Sequence, residues 1–467
     1  MTVQALRPAR FFLWYLKAFF KRHVLTVSIC FTFGFLLTVL LLFFQLRQTP
    51  SEKEISIGMS GYYSLNNLPK SIQSLISFGL TEIKDNGEIT AKAADKFSID
   101  STETLYEIRI KSNLIWHDGK IFTAEDVNYN FKEVEKKILD QNTLQFHLKE
   151  PFSPFYSLLT QPLFKKGLIG LGSYKLGRIN FEGETIESLE LLPSKVRGEI
   201  TWPEEFPHEL TKQIEDKTKL IIKFYPTSEM VKKALKLGEI SVALGLKNSQ
   251  TLSDKYYENI PITDYSHVVA LFLNTKDPLL KDKGLRQALA FSIPKDIFKN
   301  LVRATGPIPP ISWGYNSKTK SYDEDLNAAK ELLGKTNTAS EGAKIRIVLS
   351  TFPQYNEIAK KIASNWQKLG LSVDVSTQTM IPPNYQALLF SQEIPSDPDQ
   401  YLFWHSTQPG NLTGYTSARN DKLLEDARRI IDIDARKQKY FDFQKYLVED
   451  NPAIFLFYPT IYTTIRK

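Results

Sequence analysis

Few residues of this chain have the types and spacing needed for covalent chemistry. His117-Asp118 comes closest to an acid–base pair, but no nucleophile or second carboxylate sits at a meaningful distance along the chain. The bland reading of the pair, a packed histidine and an aspartate bracing a turn, is the better one. Ser317 and Lys320 have Ser-x-x-Lys spacing, yet they lie in a polar loop without partner motifs. Gly170-Leu171-Gly172 has neither the Lys-Ser/Thr pair of a phosphate loop nor the full dinucleotide spacing. The histidines (23, 117, 147, 208, 267 and 405) are scattered with no ligand-like pair. The lone Cys30 rules out an intrachain disulfide. No catalytic residue, metal or cofactor is expected, and the chain does not read as an enzyme.

The elements around His117-Asp118 are legible. Ile108, Ile110, Leu114 and Ile115 suggest an incoming extended segment, and Asp118-Gly119 is a turn signal. Thr123-Ala124-Glu125-Asp126 is a capping-box pattern with Asp as the acid. Val127, Phe131 and Val134 then recur at helical spacing and predict a helix.

Trp116-His117-Asp118-Gly119, followed after two residues by Phe122-Thr123-Ala124-Glu125-Asp126-Val127, closely resembles the signature of one family. That family is the extracytoplasmic solute-binding proteins of ABC importers, in the oligopeptide, dipeptide and nickel group. Leu285-Arg286-Gln287-Ala288-Leu289 resembles its second signature, and Arg286 there reads as a structural residue pairing with helix or domain-border carboxylates. Gly170-Leu171-Gly172-Ser173-Tyr174 is similar to a turn that returns the chain to the first domain. The likeness runs in register over about residues 55 to 463. Bottom-up signals agree with it. A helix over 228–237 closed by Gly238 is expected, and so is a β-α-β unit through Ile345–Leu349, Tyr355–Leu369 and Leu371–Val375, which implies a parallel sheet.

The resemblance implies an α/β, two-lobed periplasmic-binding-protein type II fold with a hinged cleft and three domains. Domain I would take residues 51–80, 165–262 and 441–467; inserted domain II, 81–164; and domain III, the second lobe, 263–440. It implies peptide binding in the cleft and delivery to a permease with two ATPases. Peptide-binding relatives hold the ligand ammonium with an aspartate four residues before the proline of an Asp-Pro element; here that position is Ile394, before Pro398. Either Glu393 or Asp397 substitutes, or the ligand carries no ammonium. The candidate cleft residues are Tyr62, Tyr63, Glu393, Asp397, Trp404, Asn411 and Tyr415. A ligand sensor or scaffold on the same fold, or a non-peptide solute, is the alternative reading.

The net charge of +7 is concentrated at one end. Residues 1–50 carry six basic residues and no acidic one, so 51–467 is left near neutral, without a general basic field for nucleic acid. Val24 to Leu46 holds no charge over 23 residues; as a helix it would reach about 35 Å, enough for roughly 30 Å of hydrocarbon. No small-x-small cleavage site follows. With Lys17, Lys21 and Arg22 before the run, the positive-inside rule makes 1–23 a cytoplasmic segment, 24–46 a transmembrane signal-anchor, and the remainder extracytoplasmic.

Overall fold

The computed structural model of the chain describes residues 14–15, 17–19, 21–26, 32–38, 53–84, 87–194, 200–247, 252–336 and 345–467. Met1–Glu54 is a unit separate from Ile55–Lys467. In the former, residues 32–38 are helical, with the Thr38 hydroxyl donating to the Gly34 carbonyl at 2.7 Å. The expected span 24–46 lies mostly outside the described residues, and among those described no helix is long and apolar enough to cross a membrane.

The larger unit is built on three main sheets. The first has seven strands, in the order Tyr257–Thr263, Thr460–Arg466, Val242–Leu246, Glu54–Ser60, Lys219–Tyr225, Thr185–Pro193 and Tyr174–Glu182. The second has six, in the order Val302–Arg303, Ala453–Tyr458, His267–Leu273, Ala387–Glu393, Arg346–Thr351 and Ser372–Thr377. The third is an antiparallel four-stranded sheet of Ala94–Ile99, Leu105–Ile110, Thr143–Leu148 and Val134–Ile138. The chain crosses between the first two sheets twice, through Asp264–Ser266 and through Pro459. The crossings touch where the Asp264 N–H donates to the Pro459 carbonyl at 2.8 Å.

Burial explains why the second sheet is apolar along whole strands. In His267–Leu273, Val269, Leu271 and Leu273 enter one core with Ile347, Leu349 and Trp366. Val268, Ala270 and Phe272 enter another with Leu388, Trp404 and Phe443. A strand covered on both faces has no polar face to alternate with. The parallel pairing of Arg346–Thr351 with Ser372–Thr377 is the expected β-α-β unit. Its helix, Asn356–Lys368, buries Ala359, Ile362, Ala363 and Trp366 at helical spacing, and Gly370 follows at φ 91°. The helix Ser228–Leu237 begins where the Thr227 hydroxyl accepts the Met230 N–H and ends at Gly238, φ 79°.

Two expectations differ from the structure. Asp126 does reach back to the Thr123 N–H at 3.0 Å, but only a single 3-10 turn, Ala124–Asp126, follows it instead of a helix. The chain from Val134 to Ile138 is taken as a strand against Thr143–Leu148, which leaves too few residues for helical turns. Val127, Phe131 and Val134 still bury in the third core, so apolar spacing registered burial while the hairpin decided conformation. The tail 441–467, expected together with the first sheet, divides: Ala453–Tyr458 pairs with His267–Leu273, and Thr460–Arg466 joins the first sheet.

Candidate ligand-binding cleft

The first and second sheets, with the helices on them, form two lobes whose facing residues meet near the crossings. On the first lobe, Glu54–Ser60 ends at Gly61, φ 137°, with Gly61 N–H bonded to the Tyr225 carbonyl at 2.8 Å. This turn exposes Tyr62 at 67%. Tyr63 turns inward, its ring 4.8 Å from Phe224 and its hydroxyl donating to the Ser60 carbonyl. Lys70 begins the helix Lys70–Ile76.

On the second lobe, Glu393 ends the strand Ala387–Glu393 opposite His267. Its carboxylate takes the Lys70 ammonium of the other lobe at 2.9 Å. With side chains 91% and 60% exposed, this pair is strongly screened and worth little in stability. Behind it His267 donates through Nδ1 to Asp264 at 2.9 Å. That bond, opposed by burial, raises the imidazole above the ordinary histidine value. For Asp264, burial pushes the carboxyl up, but the bonds from His267 and Ser266 outweigh it and bring it below the usual range. The loop between the two sheets therefore holds a hydrogen-bonded carboxylate–imidazole pair.

A second meeting point lies at Pro151-Phe152-Ser153. The Ser153 N–H donates to the Arg428 carbonyl at 2.7 Å, and its hydroxyl to Ala427 at 2.9 Å. Those are orphan carbonyls at the end of the helix Ala418–Arg429, so one lobe caps a helix of the other. Arg429 adds an exposed ion pair to Glu150 at 3.1 Å.

The remaining expected cleft residues lie inside the second lobe. Asp397 is 7% exposed and is gripped through both oxygens by Arg436, at 2.5 and 2.9 Å. Burial pushes its carboxyl up and Arg436 pulls it down. The paired guanidinium satisfies both acceptors and leaves no open anion. Asp399 is held in the same way by Arg428, and so the Asp397-Pro398-Asp399 element is clamped to two helices. Trp404 is 2% exposed between Phe272 and Phe455. The Tyr415 hydroxyl donates to Asp450 at 2.6 Å, and Asn411 donates to the Tyr415 carbonyl at 2.8 Å. Ile394 is also core, packed in the cluster that holds Trp404 and Tyr415.

His117 and Arg286 both bind backbone. His117 Nε2 donates to the Gly172 carbonyl at 2.8 Å while Nδ1 accepts the Gly170 N–H at 3.3 Å, which welds the motif turn to the glycine turn. Burial lowers its affinity for a proton, consistent with a neutral ring. Arg286 is buried as expected, but its partners are carbonyl oxygens of Leu280, Lys281, Asp450 and Asn451 at 2.6–3.2 Å, not carboxylates. Asn451 at φ 53° ends the helix Ile433–Asp450, and Arg286 caps the carbonyls left there. Among the described residues no group of three or more His, Cys, Asp or Glu could hold a metal ion.

Sequence reasoning missed Lys70, Ser153, Arg428 and Arg436, whose partners lie 29 to 323 positions away. His267 and Asp264, by contrast, are only three positions apart.

Comparison with known proteins agrees with this architecture. Residues 202–418 match the family model described as bacterial extracellular solute-binding proteins, family 5 middle. The oligopeptide-binding protein AppA of Bacillus subtilis is 23% identical over 85% of this chain and 83% of its own. The probable D,D-dipeptide-binding periplasmic protein DdpA of Escherichia coli is 22% identical over 85% and 84%. Among solved structures, NikZ of Campylobacter jejuni in complex with Ni(L-His) superposes with a TM-score of 0.70 at 21% identity, over 90% of this chain and 95% of NikZ. AppA of Bacillus subtilis in complex with a nonapeptide gives 0.65 at 20% identity, over 89% and 95%. These are similarities of fold and family. Over residues 202–418 the chain is similar to the bacterial extracellular solute-binding proteins of family 5.

Proposed function

We propose that the chain is the membrane-anchored, extracytoplasmic solute-binding component of an ABC importer, and that it takes peptides between its two lobes for delivery to a permease and its ATPases. The observation that carries the reading is the Lys70–Glu393 pair. It sets an exposed cation and an exposed anion face to face across the lobes, beside the crossings that would act as the hinge. A peptide's ammonium and carboxylate can each exchange into such a pair at little cost, because its charges are already hydrated. Peptide-binding relatives support the ligand class. The three-domain partition places 51–80 and 165–262 with the first sheet and 81–164 as the insertion.

In this reading Tyr62 and Glu393 face the ligand, and Tyr63 braces the turn that carries Tyr62. Asp397, Trp404, Asn411 and Tyr415 hold the wall behind them. The apolar run 24–46 tethers the domain, with residues 1–23 inside the cell. No step of the transport function asks a side chain of this chain to form a bond to the ligand.

Calorimetry of the full-length protein in detergent against a peptide library tests the ligand, with N-acetylated peptides isolating the ammonium. Stabilisation by free peptides supports the reading. Response to another solute class and to no peptide defeats it. Protease accessibility on intact cells tests topology, and a protected C-terminal domain would sink the orientation.

A second reading, a solute without an ammonium, is favoured by one observation. The position expected to carry the anchoring aspartate is the buried Ile394, and nearby Asp397 is occupied by Arg436. Equal binding of free and N-acetylated peptides, or of a non-peptide alone, would select it.

A further inference from the structure

A well-formed cavity of the described structure lies away from the interlobe contacts. It lies within the first lobe, between the seven-stranded sheet's surroundings and the inserted four-stranded sheet, and has a volume of about 560 Å³. That is the size of an ordinary small-molecule site. Neither Lys70 nor Glu393 lines it.

Its walls are mainly apolar. Phe78, Leu114 and Leu171 come from the third core and its margin, and Trp202 faces them from the other side. Trp202 is held in place by stacking on Phe206, with centroids 5.6 Å apart. Among the described residues no side chain fills the space between these walls, so their facing surfaces lack partner atoms there.

The polar groups at the edge carry a net positive charge. Glu82 is bound by Lys84 at 2.5 Å and by Lys92 at 2.6 Å, so a single carboxylate meets two ammonium groups. Lys92 also donates to the Thr201 hydroxyl at 3.0 Å, spanning the two walls. Lys111 lines the cavity as well, with its backbone N–H bonded to the Ala93 carbonyl at 3.0 Å. Lys111 is half-buried, and among the described residues its ammonium makes no ion pair or side-chain hydrogen bond. A half-buried cation facing an apolar void calls for an anionic partner.

We propose that this cavity is a second ligand site, separate from the interlobe cleft, for a small amphipathic carboxylate. The apolar body would lie against Phe78, Leu114, Leu171 and Trp202, and the carboxylate would accept from Lys111 with Lys92 nearby. Such a ligand would bridge the inserted domain to the rest of the lobe. The helix Lys70–Ile76 joins the two sites: Lys70 at its start meets Glu393, and Ser74 and Leu75 near its end line the cavity.

The test is calorimetric titration of the full-length protein in lipid nanodiscs with 3-phenylpropionate, against 3-phenylpropan-1-ol and empty nanodiscs. The expected result is saturable binding of the acid, with the alcohol at least about tenfold weaker, since it lacks the charge-assisted bond. Lys111→Gln should weaken the acid by a similar factor. Ala91→Phe, which puts a ring into the cavity from its wall, should abolish binding while any interlobe ligand still binds. Circular dichroism confirms that both variants are folded. Absence of saturable binding of the acid, equal affinity for acid and alcohol, or unchanged affinity in either variant overturns the proposal.

Discussion

Replacing Arg436 by methionine separates a scaffold role of Asp397 from a ligand role. In the native chain both members of the pair are about 5% exposed, and Arg436 gives two bonds to Asp397, one to the Ala427 carbonyl and contacts the Tyr440 hydroxyl at 3.0 Å. Methionine keeps most of the volume and removes every one of these donors. Asp397 is then a buried carboxylate with no countercharge, left with the Asp399 N–H at 3.0 Å, and such a loss costs about 3–5 kcal/mol. The cost must depend on pH. Without Arg436 burial dominates, with the neighbouring Asp399 charge acting in the same direction, and the folded pKa of Asp397 moves further above the unfolded value. A raised carboxyl binds its proton more tightly in the folded state, so the variant regains stability as pH falls from the raised value toward about 4. Urea unfolding of the second lobe, followed by fluorescence of Trp313, Trp366 and Trp404 between neutral pH and pH 4, reads this directly. The double variant Asp397→Leu with Arg436→Met should recover most of the loss, because no charge is left buried. The reasoning is refuted if the single variant loses less than about 1 kcal/mol, or if its loss is the same at both pH values. A stable variant that bound cationic ligands more tightly would instead make Asp397 a ligand group.

Three further outcomes follow from the geometry. Lys70→Glu should reduce the closed fraction, seen by fluorescence transfer between labels on the two lobes, by no more than about 1 kcal/mol, and adding Glu393→Lys should restore it. His267→Gln should flatten the pH dependence of stability just above the ordinary histidine range. Its raised folded pKa gives stability that is full below the unfolded value and is lost as pH rises through the folded one, which a thermal-melt series would show in the native chain and not in the variant. Gly238→Ala should cost about 1 kcal/mol in urea unfolding, because φ of 79° is strained for alanine and the added Cβ meets Arg466.

Much of the fold was legible in residues close together along the chain. The Trp116–Val127 string is a family signature because its parts bond to one another locally. Trp116 donates to Asp126, Asp126 accepts from Thr123, and Asp118 accepts from Lys120. Helix ends at Gly238 and Gly370 were readable because a left-handed residue is a local demand met by glycine. The β-α-β unit was readable because two strand periods flank a helical one within about one crossover length. The same local rule failed at Val127–Val134, where apolar spacing fits both a helix and a buried loop, and a partner strand decided between them.

The cleft was much less legible. Residue type placed Asp397, Trp404 and Tyr415 among candidate ligand groups, since acids and aromatic rings serve there as readily as in cores. Their partners could not be read from spacing: Arg436, Phe455 and Asp450 lie 35 to 51 positions away and pair with or pack against these side chains. Conversely, Lys70 had no distinguishing sequence feature, and it matters because two chain crossings bring it against Glu393. By itself, then, the sequence carried the family resemblance in its motif strings, and in its composition the near-neutral charge of everything beyond residue 50. Only the tertiary structure decided which charges are spent inside the lobes and which remain exposed between them. Partner choice over hundreds of residues depends on how the sheets pack, and spacing along the chain does not encode that distance.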